Sequence, residues 1–320
     1  MQSKEKPDET LLAISKRRPA LASILNVFAP IFEKQDAVSE TLIPIFREKG
    51  IELPSFSASR LSLGVSLLSG SPLPDISFAY ELAFEELAPL LKTLPALSKK
   101  MKALAPLFKK KAAENQELFL RACTQNDACP LEAIAHDHKV EPQVLGFLLD
   151  FIVPTLLRPL VSMAYGETTG PWDENSLWQQ GYCPVCGSYP TIAWLDKPVI
   201  DERNTYLHEG GGRRHLFCGV CGASWRFLRL GCPACGGNKS KQLEILAEEN
   251  NAYGESLSWC VDCRSYCPTV DLRERVQRPD MNAQSFGMLH LDIIAAEKKL
   301  HPLRRSFWNT FPESEENQKA

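Results

Sequence analysis

The chain has 320 residues, of which 44% are hydrophobic and 23% are charged, and its formal net charge is -3. This length allows two domains, or one large helical domain with an appendage. Proteins that bind nucleic acid through phosphate contacts usually carry an excess of Lys and Arg, which this chain lacks. We therefore expect no nucleic-acid partner.

The N-terminal residues, MQSKEKPDET, are polar and lack the apolar region of a secretion signal. The most apolar stretch, residues 144–164, has the length of a membrane span but contains Asp150, Pro154, Arg158 and Pro159. Charges and prolines at mid-span are costly in hydrocarbon. We interpret this stretch as a buried helix that is broken near a proline, and we expect a cytoplasmic protein with no stable membrane insertion.

Residues 1–170 predict a helical domain, because their apolar residues recur at helical spacing. One series follows Pro19, which suits a helix start, and precedes Gly50, which suits a helix end. Its members are Leu21, Ile24, Leu25, Phe28, Ile31, Phe32, Val38, Leu42, Ile45 and Phe46. Further segments are predicted as helices over 78–91, 130–138 and from 142 onward, and as a long irregular connection over 50–75.

Eight of the eleven cysteines form four Cys-x-x-Cys pairs. In a chain with no export signal, this pattern indicates metal binding rather than disulfides. A glycine follows three of the pairs, at Gly187, Gly222 and Gly236, where a positive φ would close a tight turn around an ion. Two pairs make one tetrahedral site, so the sequence predicts two metal ions, iron or zinc. The pairs are Cys183/Cys186, Cys218/Cys221, Cys232/Cys235 and Cys260/Cys263.

We predict that the pairs combine in chain order, the first with the second and the third with the fourth. This order encloses 31 and 24 residues, whereas an interleaved order encloses 45 and 38. Loop-closure entropy separates the two by only about a few tenths of a kcal/mol per site. Strand-like segments over 191–195 and 243–246 favour the chain order, because a rubredoxin-like site needs two turns that face each other across a short sheet.

These features predict an α+β chain. An all-α domain over residues 1–170 precedes two tandem rubredoxin-like or zinc-ribbon modules, over 171–229 and 230–275. A C-terminal helix and a polar tail then occupy 276–320, because helical spacing returns there and the last residues are polar.

No pattern outside the pairs predicts catalysis. A site closed by four cysteines has no open coordination position, so we expect no enzyme activity. The other Cys and His residues are interpreted as ordinary helical-domain cysteines (Cys123, Cys129), a spare thiol (Cys267) and exposed histidines (His136, His138). His208 and His215 flank a glycine-rich loop tip, and a ligand role for them is kept only as an alternative.

Four signatures resemble the FdhE family, the formate dehydrogenase accessory proteins. They are WQQGYCPVCGSYP over 178–190, RHLFCGVCGASW over 214–225, CPACG over 232–236 and CVDCRSY over 260–266. Residues 285–297, with Leu289, Leu291 and Asp292, look like the family's closing helix. The chain departs from the family pattern at Cys267-Pro268 and at its C-terminus, where Arg304, Arg305 and Asn309-Thr310 stand in place of an Arg…Asn-Pro ending.

The resemblance implies a cytoplasmic maturation factor that carries rubredoxin-like iron. Its implied partner is the catalytic subunit of a molybdenum- or tungsten-dependent formate dehydrogenase, which it binds before export. The oligomeric state does not follow from the sequence.

Two alternatives remain open at this point. A zinc-ribbon protein that binds nucleic acid would use a basic and aromatic strip formed by Arg214, Trp225, Arg226 and Arg229. A rubredoxin-type protein would instead transfer electrons through iron.

Overall fold

The computed structural model describes residues 4–71, 73–124, 129–166, 170–197, 212–248 and 253–311. The α+β class predicted from the sequence is confirmed, with helices first and short strands after them. The helices are α1 (Pro7–Arg17), α2 (Ala22–Lys49), α3 (Ala58–Ser62), α4 (Ser77–Leu91), α5 (Pro95–Ser98), α6 (Met101–Lys109), α7 (Ala112–Thr124), α8 (Cys129–His138), α9 (Pro142–Tyr165), α10 (Met281–Gly287) and α11 (Leu289–Glu297). The strands are β1 (Ile192–Leu195), β2 (Arg214–Phe217), β3 (Ser224–Arg226), β4 (Leu243–Ala247), β5 (Glu255–Cys260), β6 (Ser265–Asp271) and β7 (His301–Pro302).

Helix α9 is the core helix of the helical region. By length and composition it resembles a membrane span, but 72% of its most apolar window is buried inside the protein. It runs without a break through Pro154 and Pro159, so the predicted break near a proline is wrong. Pro159 has no N–H for the carbonyl of Thr155, and Ser39 Oγ of α2 donates to that oxygen instead, at 3.0 Å. A side chain from the neighbouring helix thus satisfies one carbonyl that the proline leaves free.

Helix α2 follows the predicted apolar series in one continuous segment. Leu25, Phe28 and Leu42 are among its buried residues, and the helix packs against α1, α9 and α4. The helix ends at Gly50, which has φ +64° and donates its N–H to the carbonyl of Arg47 at 3.2 Å.

The strands of the described residues form one mixed sheet in the order β3-β2-β1-β6-β5-β4, and β7 pairs with β6. Strands β1–β3 form one antiparallel unit and β4–β6 form another. The units join where β1 runs parallel to β6, with Ala193 opposite Thr269. The two predicted modules therefore share a sheet. The domain boundaries at residues 170, 229 and 275 stay a prediction.

The two faces of the sheet meet different cores. One face, with Leu216 and Trp225, belongs to the same buried cluster as α2, α4 and α9. The other face, with Trp194 and Tyr266, packs against α11. The predicted C-terminal helix is divided into α10 and α11.

A buried ion-pair network joins α1 to the sheet and to α10. The carboxylate of Glu255 on β5 accepts hydrogen bonds from Arg17, from Arg18 at 2.9 Å and from Gln284 at 2.7 Å. Burial raises the pKa of Glu255, but the two arginines and Gln284 outweigh burial and leave it below its ordinary value. One carboxylate on β5 thus connects the end of α1 with α10.

A cluster of aromatic rings also joins the helical region to the C-terminal segment. The ring of Phe286 on α10 lies 5.0 Å from that of Phe28 and 5.6 Å from that of Phe32, both on α2. It also lies 5.9 Å from the ring of Phe307 and 5.7 Å from that of Trp308. The helical region and the C-terminal segment therefore share one aromatic cluster, which belongs to the same buried core as one face of the sheet.

We expect Phe286→Ala to lower the free energy of unfolding by roughly 3–5 kcal/mol, the usual cost of removing a buried aromatic ring. Because the core is shared, far-ultraviolet circular dichroism and tryptophan fluorescence should report a single denaturant transition at a lower midpoint. Phe311→Ala, at a residue 38% exposed, is the matched control and should change little. Two separate transitions in the wild type would contradict a shared core.

Candidate metal centres

The first set of cysteines is buried and closely grouped. The sulfur atoms of Cys183, Cys186, Cys218 and Cys221 all lie within 4.8 Å of one another. The Cys183 and Cys221 sulfurs are 3.5 Å apart, as are those of Cys186 and Cys218. Each of the four side chains is 5% exposed or less.

The second set of cysteines is grouped equally closely, but part of it reaches the surface. The sulfur atoms of Cys232, Cys235, Cys260 and Cys263 also lie within 4.8 Å of one another. The Cys232 and Cys263 sulfurs are 3.6 Å apart, and the Cys235 and Cys260 sulfurs are 3.8 Å apart. Cys235 is exposed and Cys263 is half-buried. The structure thus groups the four pairs in the predicted chain order and not in the interleaved order.

The sulfur separations fit tetrahedral ions. A metal–sulfur distance of about 2.3 Å places the ligands of a tetrahedron about 3.8 Å apart, whereas a disulfide requires about 2.05 Å. Each set therefore has the spacing for one ion with four thiolates, and zinc and iron both accept that donor set. Metal binding by these eight residues stays a prediction, and the identity of the metal does not follow from the ligands.

Backbone turns position each pair. In the first turn the N–H of Gly187 donates to the carbonyl of Cys183 at 3.0 Å, and the N–H of Cys183 donates to Ser188 at 2.8 Å. The same bonds recur in the second and third turns. The glycines that the sequence analysis selected have φ between +70° and +80°, as that geometry requires.

The fourth turn uses Arg264 where the other three use glycine. Its φ is +58°, and its N–H donates to the carbonyl of Cys260 at 3.0 Å. A left-handed backbone costs a non-glycine residue about 1–2 kcal/mol. The Arg264 side chain offers compensation, because its guanidinium donates to Lys298 and lies 5.5 Å from the ring of Trp259.

The two antiparallel units place their turns alike. The first turn of each unit precedes its first strand, β1 or β4, and the second turn connects the next two strands. The strands predicted over 191–195 and 243–246 are therefore confirmed as β1 and β4. Each strand lies in the chain between the two cysteine turns of its unit.

Each set contains thiols with a raised pKa and one with a lowered pKa. Burial raises the pKa of Cys232 in the second set, whereas in the first set hydrogen bonds with the other thiols outweigh burial and lower the pKa of Cys218. Burial raises the pKa of the Cys183 and Cys221 thiols, so an ion in the first set must supply the free energy that deprotonates them. At Cys260, burial acts in the same direction but is outweighed by backbone N–H groups and by Gln242, and the pKa falls to about 7. The Gln242 amide lies 3.0 Å from the Cys260 sulfur. Sequence reasoning missed Gln242, which no motif includes.

The other candidate residues lie outside both sets. Cys267 and Cys123 are buried thiols, and His136 is exposed, as predicted, whereas His138 is half-buried. His215 stacks on Trp194 with ring centroids 5.0 Å apart, and burial lowers its pKa to about 4. His208 and the Cys129 side chain lie outside the described residues.

The basic and aromatic strip of the nucleic-acid alternative is not a surface feature. Arg214 is 4% exposed and Trp225 is fully buried, while Arg226 and Arg229 remain exposed. Two separate exposed arginines do not provide a stacking platform with a basic groove.

Asp292, which the resemblance places in the closing helix, is buried beneath the sheet. Tyr266 of β6 donates its hydroxyl to Asp292 Oδ1 at 2.7 Å. The second oxygen, Oδ2, is buried without a hydrogen-bond partner. Burial raises the pKa of Asp292 to about 7, although the Tyr266 hydroxyl acts in the opposite direction.

Comparisons with known proteins agree with the motif resemblance. No model of a protein family matches the chain. The chain is 28% identical over 161 residues to an FdhE homologue of Aquifex aeolicus, covering 50% of this chain and 52% of that one. It is 29% identical over 111 residues to FdhE of Salmonella paratyphi A, covering 35% and 32%. The match thus spans about half the length of the Aquifex relative and a third of the Salmonella one.

The fold has a solved counterpart. The crystal structure of the FdhE protein from Pseudomonas aeruginosa superposes with a TM-score of 0.55 at 19% identity, covering 95% of this chain and 94% of that one. At this identity the likeness shows a shared fold.

We expect Asp292→Asn to stabilise the protein increasingly as the pH rises from about 4 to 7. The folded pKa lies above that of an unfolded aspartate, so the protonated form favours folding and ionisation opposes it. At pH 8 the gain should reach a few kcal/mol at most, since each pKa unit is worth about 1.4 kcal/mol. Denaturant midpoints between pH 4 and 8 measure it, with the exposed Asp137→Asn as control. A pH-independent difference would contradict the expectation.

We expect the second set to react with thiol reagents before the first. Cys235 is exposed, whereas the first set requires local opening, so alkylation of Cys235 should be roughly tenfold faster or more. Mass spectrometry of peptides after timed alkylation of metal-loaded protein measures each rate. Cys235→Ser should remove the fastest site, and equal rates in both sets would refute the expectation.

Proposed function

The chain resembles the FdhE proteins in sequence and shares their fold, and on that premise we propose that it is an accessory factor for formate dehydrogenase. It binds the catalytic subunit of a molybdenum- or tungsten-dependent enzyme in the cytoplasm and assists its assembly before export. It carries two ions, of iron or zinc, in the two cysteine sets. The observation that carries the proposal is the presence of two closed four-cysteine groups within the FdhE fold.

A binding role agrees with the chemistry of the described residues. Four sulfurs in each set leave an ion no open position for a substrate or an activated water. The pKa values of several buried groups are shifted, but the largest cause is burial in most of them, and the groups lie in cores. We therefore assign the protein no turnover of its own.

Electron transfer is the second candidate, and the exposure of Cys235 favours it. An ion at the surface is within reach of a redox partner, whereas the first set is sealed. This candidate requires iron. Zinc in both sets of anaerobically purified protein would eliminate it without affecting the assembly role.

We expect deletion of the gene in the native host to lower formate dehydrogenase activity while synthesis of the catalytic subunit continues. Tagged full-length protein should co-purify that subunit, identified by mass spectrometry. A variant with Ser at Cys183 and Cys218 should lose both effects, because the shared core loses its ion. Exposed Leu63→Ala is the control and should retain them. Normal activity in the deletion strain, with no second copy of the gene, would refute the proposal.

A further inference from the structure

Two arginines differ from other buried or half-buried arginines in having no carboxylate within ion-pair distance. Arg17, Arg18 and Arg304 each pair with Glu255 or Asp150. By contrast, no carboxylate oxygen of the described residues lies within 4 Å of Arg158 or Arg214. Burial lowers the pKa of both guanidinium groups, which remain charged. The charge of Arg158 is favoured by Asp280 and Asp36 from beyond 4 Å and, after them, by Cys218 and Cys221 of the first set.

Each of these arginines is bonded to the turn of a different cysteine set. Arg158 reaches from α9 to the second turn of the first set, where its Nη2 donates to the carbonyl of Gly219 at 2.7 Å. Gly219 lies between Cys218 and Cys221 in the sequence. The N–H of Gly219 also donates to Thr191 Oγ1 at 2.9 Å, and this bond helps to fix the position of the turn.

Arg214 makes the equivalent contact with the second set. It starts β2 of the first unit, and its Nη1 donates to the carbonyl of Gly231 at 2.9 Å, one residue before Cys232. Its Nη2 is buried with no hydrogen-bond partner. The guanidinium also lies 6.0 Å from the ring of Phe227. The thiols whose negative charge would favour this guanidinium are Cys267 and, after it, Cys232 of the second set.

A metal–thiolate centre supplies such a charge. Four thiolates around a divalent ion carry a net charge of about −2, and around a ferric ion about −1. A buried anion of this kind is stable only when positive groups or hydrogen-bond donors surround it. Arg158 meets that requirement at the buried first set, and Arg214 meets it beside Cys232, a buried member of the second set.

We propose that Arg158 and Arg214 are the counter-charges of the first and second metal centres, and that each sets the affinity of its own centre. The inference rests on the metal binding proposed above. Both act as positioning residues, because they contact the turns and not the ion. Through Arg158, α9 stabilises the first centre, and through Arg214, β2 of the first unit stabilises the second.

A purely structural role is the competing explanation. The same hydrogen bonds to Gly219 and Gly231 would hold the turns in place even if charge were unimportant. Lysine keeps the charge but cannot reproduce the two-nitrogen contact of Arg158, whereas methionine keeps the volume and removes the charge. The Lys and Met variants therefore separate the two explanations.

The test uses full-length protein loaded with cadmium, whose NMR spectrum gives one resonance for each occupied centre. Competition with a chelator then measures the affinity of both centres at once. Arg158→Met should weaken one centre by roughly 10–100-fold, the usual effect of groups that support metal ligands, and leave the other unchanged. Arg214→Met should weaken the other centre. Arg158→Lys and Arg214→Lys should recover most of the loss, and exposed Arg226→Met should change neither.

Several results would overturn the inference. It fails if folded Met variants keep wild-type affinity, if both Met variants weaken the same centre, or if Lys fails to recover the affinity. In iron-loaded protein, each Met variant should lower the reduction potential of one centre, because loss of a positive charge disfavours the more negative reduced form. An unchanged potential also counts against it. A wild type that gives no cadmium resonance refutes the proposed metal binding itself, which distinguishes the two failures.

Discussion

Four sulfur atoms within 4.8 Å of one another are the constraint on which the C-terminal half depends. As thiols they contribute only van der Waals contact, and as thiolates they repel one another. A cation at their centre favours the thiolate form, attracts all four thiolates and outweighs the repulsion between them. The strands around them have three to seven residues in the units β1–β3 and β4–β6, too short to supply a large core of their own. The turn geometry and the sheet pairing serve to keep the sulfurs at this spacing.

The two sets share this constraint but not their surroundings. The first set lies in the same buried cluster as the helices, so an ion there would stabilise the junction between the helical and sheet regions. The second set lies toward the far edge of the sheet and reaches solvent at Cys235. Identical donor atoms can therefore serve different purposes, with one centre supporting the fold and the other remaining accessible to reagents or partners.

Local patterns allowed much of this architecture to be predicted. The Cys-x-x-Cys-Gly turns and the apolar series of α2 depend on residues close together in the chain, so spacing alone specifies them. The parallel pairing of β1 with β6 and the contact between Arg158 and Gly219 join residues more than 60 positions apart, and no periodicity records them. Arg264 was missed because its left-handed backbone depends on contacts with Lys298 and Trp259. The break predicted in α9 failed because Ser39, on another helix, satisfies the carbonyl that Pro159 leaves free.

The parallel pairing of β1 with β6 has a consequence for synthesis on the ribosome. Strand β1 ends at Leu195, but its partner on one side is complete only when Asp271 has been made. During that interval β1 is an open edge of the sheet, and open edges invite pairing with other chains. Glu255 is likewise translated long after Arg17 and Arg18. The helical half of the nascent chain must therefore remain able to pack with strands that are translated last. Until those strands are made, this fold requires that the open edge of β1 be protected from other chains.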